Sequence, residues 1–365
     1  MTTDYMQHAL SLARKALGSV SPNPAVGAVV VSNGRVVGEG HTQPPGSPHA
    51  EVVALTQAGE AARGATMYVT LEPCCHYGRT PPCTQAIITS GIGEVHMAML
   101  DPNPLVSGKG KRQLEAGRIK TYVGEGEQEA QEINEAYIKF ITTGTPFVTA
   151  KFAMSLDGKI ATKNFDSKWI NNDWSREYVH QVRWVTDAIM VGVNTVLRDN
   201  PQLTARTGEG ERYPLRVIVD SHGQTPPAAK VLQPPGRALI AATTAIELIR
   251  ANQYADTGAE VITLPPKEGL VDLAELLKML GKRESTSVLV EGGSTLLGSL
   301  FDLGLVDKVL AFIAPIIIGG REAVTPVAGE GVESVAEALR LSRVRIERFG
   351  DDIMVSGYLK GRAND

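Results

Sequence analysis

Two α/β domains are what the sequence predicts, on three observations. The 365 residues exceed what one hydrophobic core usually organises, and at about 150 residues per domain they make two. Short apolar runs of strand length alternate with helix-length segments along the whole chain. Near the middle, "TTGTP" at 142–146 places Gly144 and Pro146 together, and such punctuation sets the boundary between domains at 1–145 and 146–365.

The elements follow in order. "MTTDYMQHALSLARKAL" carries Asp4 and apolar residues at helical spacing, so it reads as an amphipathic helix and not as a secretory segment. From Val26, "VGAVVV", Asn33-Gly34 and "VVGEG" predict a hairpin closed by a type I′ turn, because Asn-Gly tolerates the positive φ values that turn needs. A helix begins near His49, "TMYVTL" from Thr66 follows as an apolar strand, "CTQAIITSG" is helical up to Gly91, and "EVHMAML" is the next strand. This alternation predicts an α/β sandwich with a mixed sheet. The basic run "KGKR" at 109–112 reads as a solvated helix start, and a charged helix spans roughly 125–141. In the second domain "FVTAKFAMS", "DAIMVGV", "LRVIVDS", "ALIAAT" and "SVLVEGG" read as buried strands separated by helices, notably "GSTLLGSLFDLG".

Composition excludes several function classes. Apolar residues at 43 % with 21 % charged fit a globular protein without low-complexity tracts. A net charge of -4 argues against nucleic-acid or anionic-membrane partners, which call for clustered Lys and Arg. The longest apolar run, "VLAFIAPIII" at 309–318, is too short to span a bilayer and contains Pro315, so a cytoplasmic location is expected. In a reducing compartment, three cysteines crowded between positions 74 and 83 are metal ligands sooner than a disulfide framework.

Zinc prefers thiolate and imidazole donors, and its catalytic sites keep one position open beside three protein ligands. His49, Cys74 and Cys83 supply that set, with Cys75 a competing ligand that its neighbour's geometry disfavours. Glu51, two residues after the histidine, is placed as the acid and base that moves protons between water and a leaving amine. The pattern is that of zinc deaminases, H-x-E followed by cysteines, with a longer gap to the last cysteine than P-C-x-x-C. Purely structural zinc or inert thiols is the competing interpretation.

The chain resembles the bifunctional riboflavin-biosynthesis deaminase–reductase family through "SPNPAVGAVV" at 21–30, "HAE" at 49–51, "LEPCCHYGRTPPC" at 71–83 and "DPNP" at 101–104. The likeness continues in "KFAMSLDGKIAT", "DAIMVGVNTVLRDNPQLTAR" and "VEGGSTLLGSLF", and the long cysteine gap is that family's own pattern. The resemblance implies a zinc-dependent, cytidine-deaminase-like domain followed by a dihydrofolate-reductase-like domain that uses NADPH. It implies deamination of 2,5-diamino-6-(5-phosphoribosylamino)pyrimidin-4(3H)-one and then reduction of the product's ribosyl group to ribityl. No nucleic-acid or membrane partner is expected, and homo-oligomerisation is.

By the same resemblance Asn23, Arg79 and Asn103 meet the deaminase substrate, although an Asn between prolines also serves as a turn residue. Ala153, Trp169, Thr195, Asp199 and Ser221 line the cofactor, together with Gly293, Ser294, Thr295, Leu296, Leu297, Gly298 and Ser299, which follow a strand at a helix start where backbone amides cradle a pyrophosphate. Ser167, Arg183, Leu203, Arg206 and Glu291 meet the reductase substrate, the two arginines as phosphate ligands. No G-x-G-x-x-G fingerprint follows the first strand of the second domain, so a Rossmann domain is not expected. Two places depart from the family pattern: the loop after His41, and Asn171-Asn172 where "WITG" is usual. A deaminase of free bases, nucleosides or nucleic acid leaves the reductase motifs unexplained. A non-catalytic sensor leaves the intact His-Glu-Cys-Cys set unexplained.

Overall fold

The computed structural model describes residues 4–78 and 80–359. The chain divides into two compact units between Gly144 and Thr145.

In chain order the first unit contains α1 (Tyr5–Ala16), β1 (Gly27–Ser32), β2 (Arg35–His41), α2 (Ala50–Ala58), β3 (Thr66–Val69), α3 (Cys83–Thr89), β4 (Glu94–Met97), α4 (Lys109–Ala116), β5 (Lys120–Val123), α5 (Glu127–Ile133) and α6 (Glu135–Thr143). The strands form one sheet in the order β2-β1-β3-β4-β5. β1 is antiparallel to both neighbours, whereas β3, β4 and β5 run parallel, so the sheet is mixed. The first hairpin turns at Asn33 and Gly34, whose φ values of 52° and 72° are those of a type I′ turn. α1 is capped by the Asp4 carboxylate, which accepts from the Gln7 amide at 2.9 Å, and it buries Met6, Ala9, Leu10 and Ala13.

The single helix expected over 125–141 is in fact two, α5 and α6, broken at Asn134. The Asn134 side chain is buried and pairs with the Ala25 backbone in both senses, its Oδ1 accepting from the amide at 2.8 Å and its Nδ2 donating to the carbonyl at 3.0 Å. A buried amide that satisfies a distant strand entry this way takes precedence over local helix propensity.

The second unit contains β6 (Phe147–Ser155), α7 (Asp173–Val185), β7 (Ala188–Gly192), α8 (Val193–Asp199), the ribbon β8 (Ala205–Thr207) and β9 (Gly210–Arg212), β10 (Leu215–Val219), β11 (Ala238–Thr243), α9 (Leu248–Asp256), β12 (Glu260–Leu264), the ribbon β13 (Pro266–Lys267) and β14 (Leu270–Val271), α10 (Leu273–Lys282), β15 (Ser287–Glu291), α11 (Ser294–Asp302), β16 (Lys308–Ala314), β17 (Leu341–Phe349) and β18 (Asp352–Leu359). Nine strands make its main sheet, in the order β12-β11-β10-β7-β15-β6-β16-β18-β17. All pairings from β12 through β16 are parallel, and β18 and β17 add an antiparallel edge. Apolar clusters on the two faces of the parallel part explain why its strands read as continuous apolar runs. The closing hairpin escaped the sequence reading because β17, "LSRVRIERF", is largely exposed and charged.

Candidate active sites

Two glycines of β2 set the first site. A Cβ on Gly38 would fall 2.1 Å from the Ala54 carbonyl oxygen, and one on Gly40 would fall 2.6 Å from that of Ala50. Only glycine lets α2 lie this close to the strand. The helix therefore starts with His49 as its N-cap, the imidazole making no capping bond, and it buries Glu51 of its first turn to 4 % exposure. Cys74 follows β3 in a loop, and Cys83 is the first residue of α3, whose amide donates to Cys74 Sγ at 3.3 Å.

These elements bring His49, Cys74 and Cys83 together, their donor atoms all within 4.8 Å of one another. His49 Nδ1 lies 3.7 Å from Cys74 Sγ and 3.3 Å from Cys83 Sγ. Tetrahedral zinc with ordinary bond lengths separates such donors by about 3.5 Å, so the set fits that ion. Nε2 of His49 faces Thr80 Oγ1 at 3.3 Å, which leaves Nδ1 for the metal. Cys75 points elsewhere, with Sγ 4.0 Å from the Leu105 carbonyl oxygen.

The local electrostatics are those of one thiolate held by a neighbouring thiol, beside a proton carrier. A hydrogen bond from the Cys83 thiol draws Cys74 down to about 4, and the same bond with burial pushes Cys83 up. Bonding to Cys74 raises His49. Burial raises Glu51 above the ordinary carboxylate range, the nearby Cys74 charge adding to it.

A buried carboxylate braces the rim. Glu72 accepts from the amides of Asp101, Gly108 and Lys111 at 3.2, 2.8 and 2.9 Å, joining the cysteine loop to the "DPNP" loop and α4. Asp101 accepts from the Asn103 amide at 2.9 Å and from Tyr137 Oη at 3.0 Å. Asn103 Oδ1 accepts from the Leu105 amide at 3.0 Å, the turn-forming use of an asparagine. Asn23 is half-buried in the loop before β1. Arg79 lies outside the described residues.

The second site is a cavity of about 620 Å³ at the carboxyl ends of β6 and β15. Of the residues expected there, Ala153, Ser167, Trp169, Arg183, Thr195, Asp199, Leu203, Arg206, Glu291, Gly293 and Leu297 line it. Ser221, Ser294, Thr295, Leu296, Gly298 and Ser299 do not. Ser221 Oγ accepts from the Val271 amide at 3.1 Å, and Gly298 is packed so tightly that a Cβ would sit 2.3 Å from the Ala328 backbone. Gly292 and Gly293 carry φ values of 81° and 84° where β15 turns into α11, a backbone that side chains rarely adopt. Both glycines line the cavity just before the nine-residue α11, and their amides fit an anionic pyrophosphate.

Arg183 lines the cavity as part of an ion pair. Its Nη2 donates to Glu291 Oε2 at 2.7 Å, its Nε donates to Oε1, and its Nη1 donates to the Thr204 carbonyl at 3.0 Å, so the guanidinium is already occupied. Burial raises the Glu291 carboxyl, but the Arg183 charge and hydrogen bonds outweigh it and hold it below its ordinary value. The Arg206 guanidinium donates to Gln202 Oε1 at 3.2 Å and is exposed, as are the lining cations Lys168 and Lys230. Sequence reasoning missed Lys151 and His180. Lys151 is a lining amine that burial holds below its usual range, facing Glu291 and Arg183. His180 accepts from the Arg206 amide through Nδ1 at 3.2 Å.

Two families match the chain in tandem: the cytidine and deoxycytidylate deaminase zinc-binding region over residues 1–99, and the RibD C-terminal domain over residues 146–355. The riboflavin biosynthesis protein RibD of Aquifex aeolicus is 45 % identical over 352 residues, covering 96 % of this chain and 97 % of its own. The chain belongs to the RibD family. It is a bifunctional deaminase and reductase of riboflavin biosynthesis, with zinc and NADPH as cofactors.

Solved RibD structures share the whole architecture. That of Acinetobacter baumannii RibD superposes with a TM-score of 0.88 at 37 % identity over 98 % of both chains. The Thermotoga maritima structure, described as a diaminohydroxyphosphoribosylaminopyrimidine deaminase/5-amino-6-(5-phosphoribosylamino)uracil reductase, gives 0.86 at 36 % identity over 97 % of both. A RibD fold is thus a cytidine-deaminase-like unit followed by the family's reductase unit. Among the described residues no helix is long and apolar enough to cross a membrane.

Proposed function

We propose that the first unit deaminates 2,5-diamino-6-(5-phosphoribosylamino)pyrimidin-4(3H)-one, and that the second reduces the ribosyl group of the resulting 5-amino-6-(5-phosphoribosylamino)uracil with NADPH. The observation that carries this reading is the His49, Cys74 and Cys83 triangle beside the buried Glu51. The substrates are those in the description of the Thermotoga maritima relative.

His49, Cys74 and Cys83 hold zinc, which supplies a Lewis acid that makes water nucleophilic near neutral pH. Glu51 takes a proton from the attacking water and delivers it to the departing ammonia. Its burial favours the protonated form between these transfers. Thr80 keeps the His49 ring turned, and Glu72 keeps the cysteine loop against the rim. Asn23 and Asn103 shape the opening.

In the reductase, NADPH supplies the hydride. The Gly292 and Gly293 amides hold its pyrophosphate, and Ala153, Trp169, Thr195 and Asp199 flank it. Arg206, exposed at the cavity, takes the substrate phosphate, and Arg183, paired with Glu291 in the cavity wall, supports it. Glu291 accepts and Lys151 donates hydrogen bonds at the sugar, while Ser167 and Leu203 close the pocket around it. The enzyme works in the cytoplasm, where clustered thiols stay reduced, and it self-associates. The exposed edge of β17, with Val344 and Ile346 uncovered, supports association, and light scattering tests it.

Mass spectrometry of the diaminopyrimidine ribosyl phosphate tests the function. Zinc-loaded protein alone converts amino to oxo, and added NADPH gives a further gain of two hydrogens. No mass change under either condition would refute the substrate.

A further inference from the structure

Residues 167–171 form one wall of the reductase cavity, and they are held from outside it. Asp352, at the start of β18, is 2 % exposed. Its Oδ2 accepts three hydrogen bonds, from Asn171 Nδ2 at 3.0 Å, the Asn172 amide at 2.9 Å and Ser175 Oγ at 2.6 Å. Asn172 adds another link by donating from Nδ2 to the Phe349 carbonyl at 2.5 Å, while its Oδ1 accepts from the Ser175 amide at 3.0 Å and caps α7. The turn between β17 and β18 comes so close that a Cβ on Gly350 would lie 3.1 Å from Asn172 Nδ2. From the other side Arg176 donates to the Asn171 carbonyl and lays its guanidinium 4.6 Å from the centre of the Trp169 ring.

This wall is not ordered by apolar packing, for Trp169 is 70 % exposed. A segment with few buried contacts opens at little cost unless polar links hold it. A buried carboxylate that collects three donors is such a link, and it is costly to leave partly satisfied.

We propose that Asp352 is a positioning residue of the reductase, fixing residues 167–172 so that Trp169 meets NADPH. The proposal rests on the reading of Trp169 as a cofactor contact. Asp352 touches neither substrate nor cofactor and acts through Asn171, Asn172 and Ser175.

The test is steady-state reduction at varied NADPH, with deamination measured on the same full-length preparations, for Asp352→Ala, Asp352→Asn, Asn171→Ala and Trp169→Ala. Losing three bonds to one carboxylate in Asp352→Ala should raise KM for NADPH about tenfold, with kcat changed by less than about threefold and deamination unaltered. Asp352→Asn keeps an acceptor oxygen and should recover most of the loss, and Asn171→Ala, which breaks one bond, should raise KM by about twofold to threefold. If Asp352→Ala does not fold, the Asn171→Ala rise in KM decides. An unchanged KM in Asp352→Ala, or a fall in kcat alone, overturns the proposal. Silence of Trp169→Ala sinks the reading beneath it, whereas an impaired Trp169→Ala beside a silent Asp352→Ala sinks the proposal alone.

Discussion

His49 Nε2 faces Thr80 Oγ1 at 3.3 Å, and this contact turns Nδ1 of the same ring toward the sulfurs of Cys74 and Cys83. A histidine ligand whose other nitrogen is held by a neighbour loses little orientational freedom when it binds a metal. Thr80→Val should therefore weaken zinc binding by about 10- to 100-fold, as judged by competition with a chromophoric chelator. Unchanged affinity would mean that the helix start alone orients the ring.

Arg183 and Glu291 form a buried fork whose value is mutual. Arg183→Met leaves a carboxylate without its cation and should lower stability by about 3–5 kcal/mol in thermal unfolding of the holoenzyme. The double change Arg183→Met with Glu291→Leu should recover most of that loss, with reduction still abolished. A double variant no more stable than the single one would contradict the pairing.

Burial lifts Asp101 from its ordinary value of 3.8 to about 6. Between these values the unfolded chain has lost this proton and the folded chain has kept it, so the contribution to stability falls as pH rises through that window. Asp101→Asn stays neutral throughout. Its stability relative to the parent should improve by about 1 kcal/mol between pH 5 and pH 7, as measured by urea unfolding. A constant difference across that range would show that the carboxyl titrates normally.

Much of the fold was legible because its signals are local. Asn33-Gly34 specifies its turn by the φ values it tolerates, and the apolar strands of the second unit announce a sheet covered on both faces. The zinc triangle was legible because its residue types are rare and crowded. What stayed hidden depends on partners far along the chain. Asn134 breaks a helix for the sake of Ala25, and Asp352 secures Asn171 from 181 residues away. A lone Lys151 within a strand, or an arginine whose carboxylate lies 108 residues on, carries no mark in the sequence of what it faces.

The central claim is that one chain carries two independent reactions, with Glu51 serving only the first. Glu51→Gln decides it when zinc content, deamination, and reduction of pre-deaminated substrate are measured on one preparation. The account predicts full zinc occupancy, a loss of deamination of at least about 100-fold and unaltered reduction. Loss of both activities in a folded, zinc-loaded Glu51→Gln protein, or deamination at the parent rate, would contradict it.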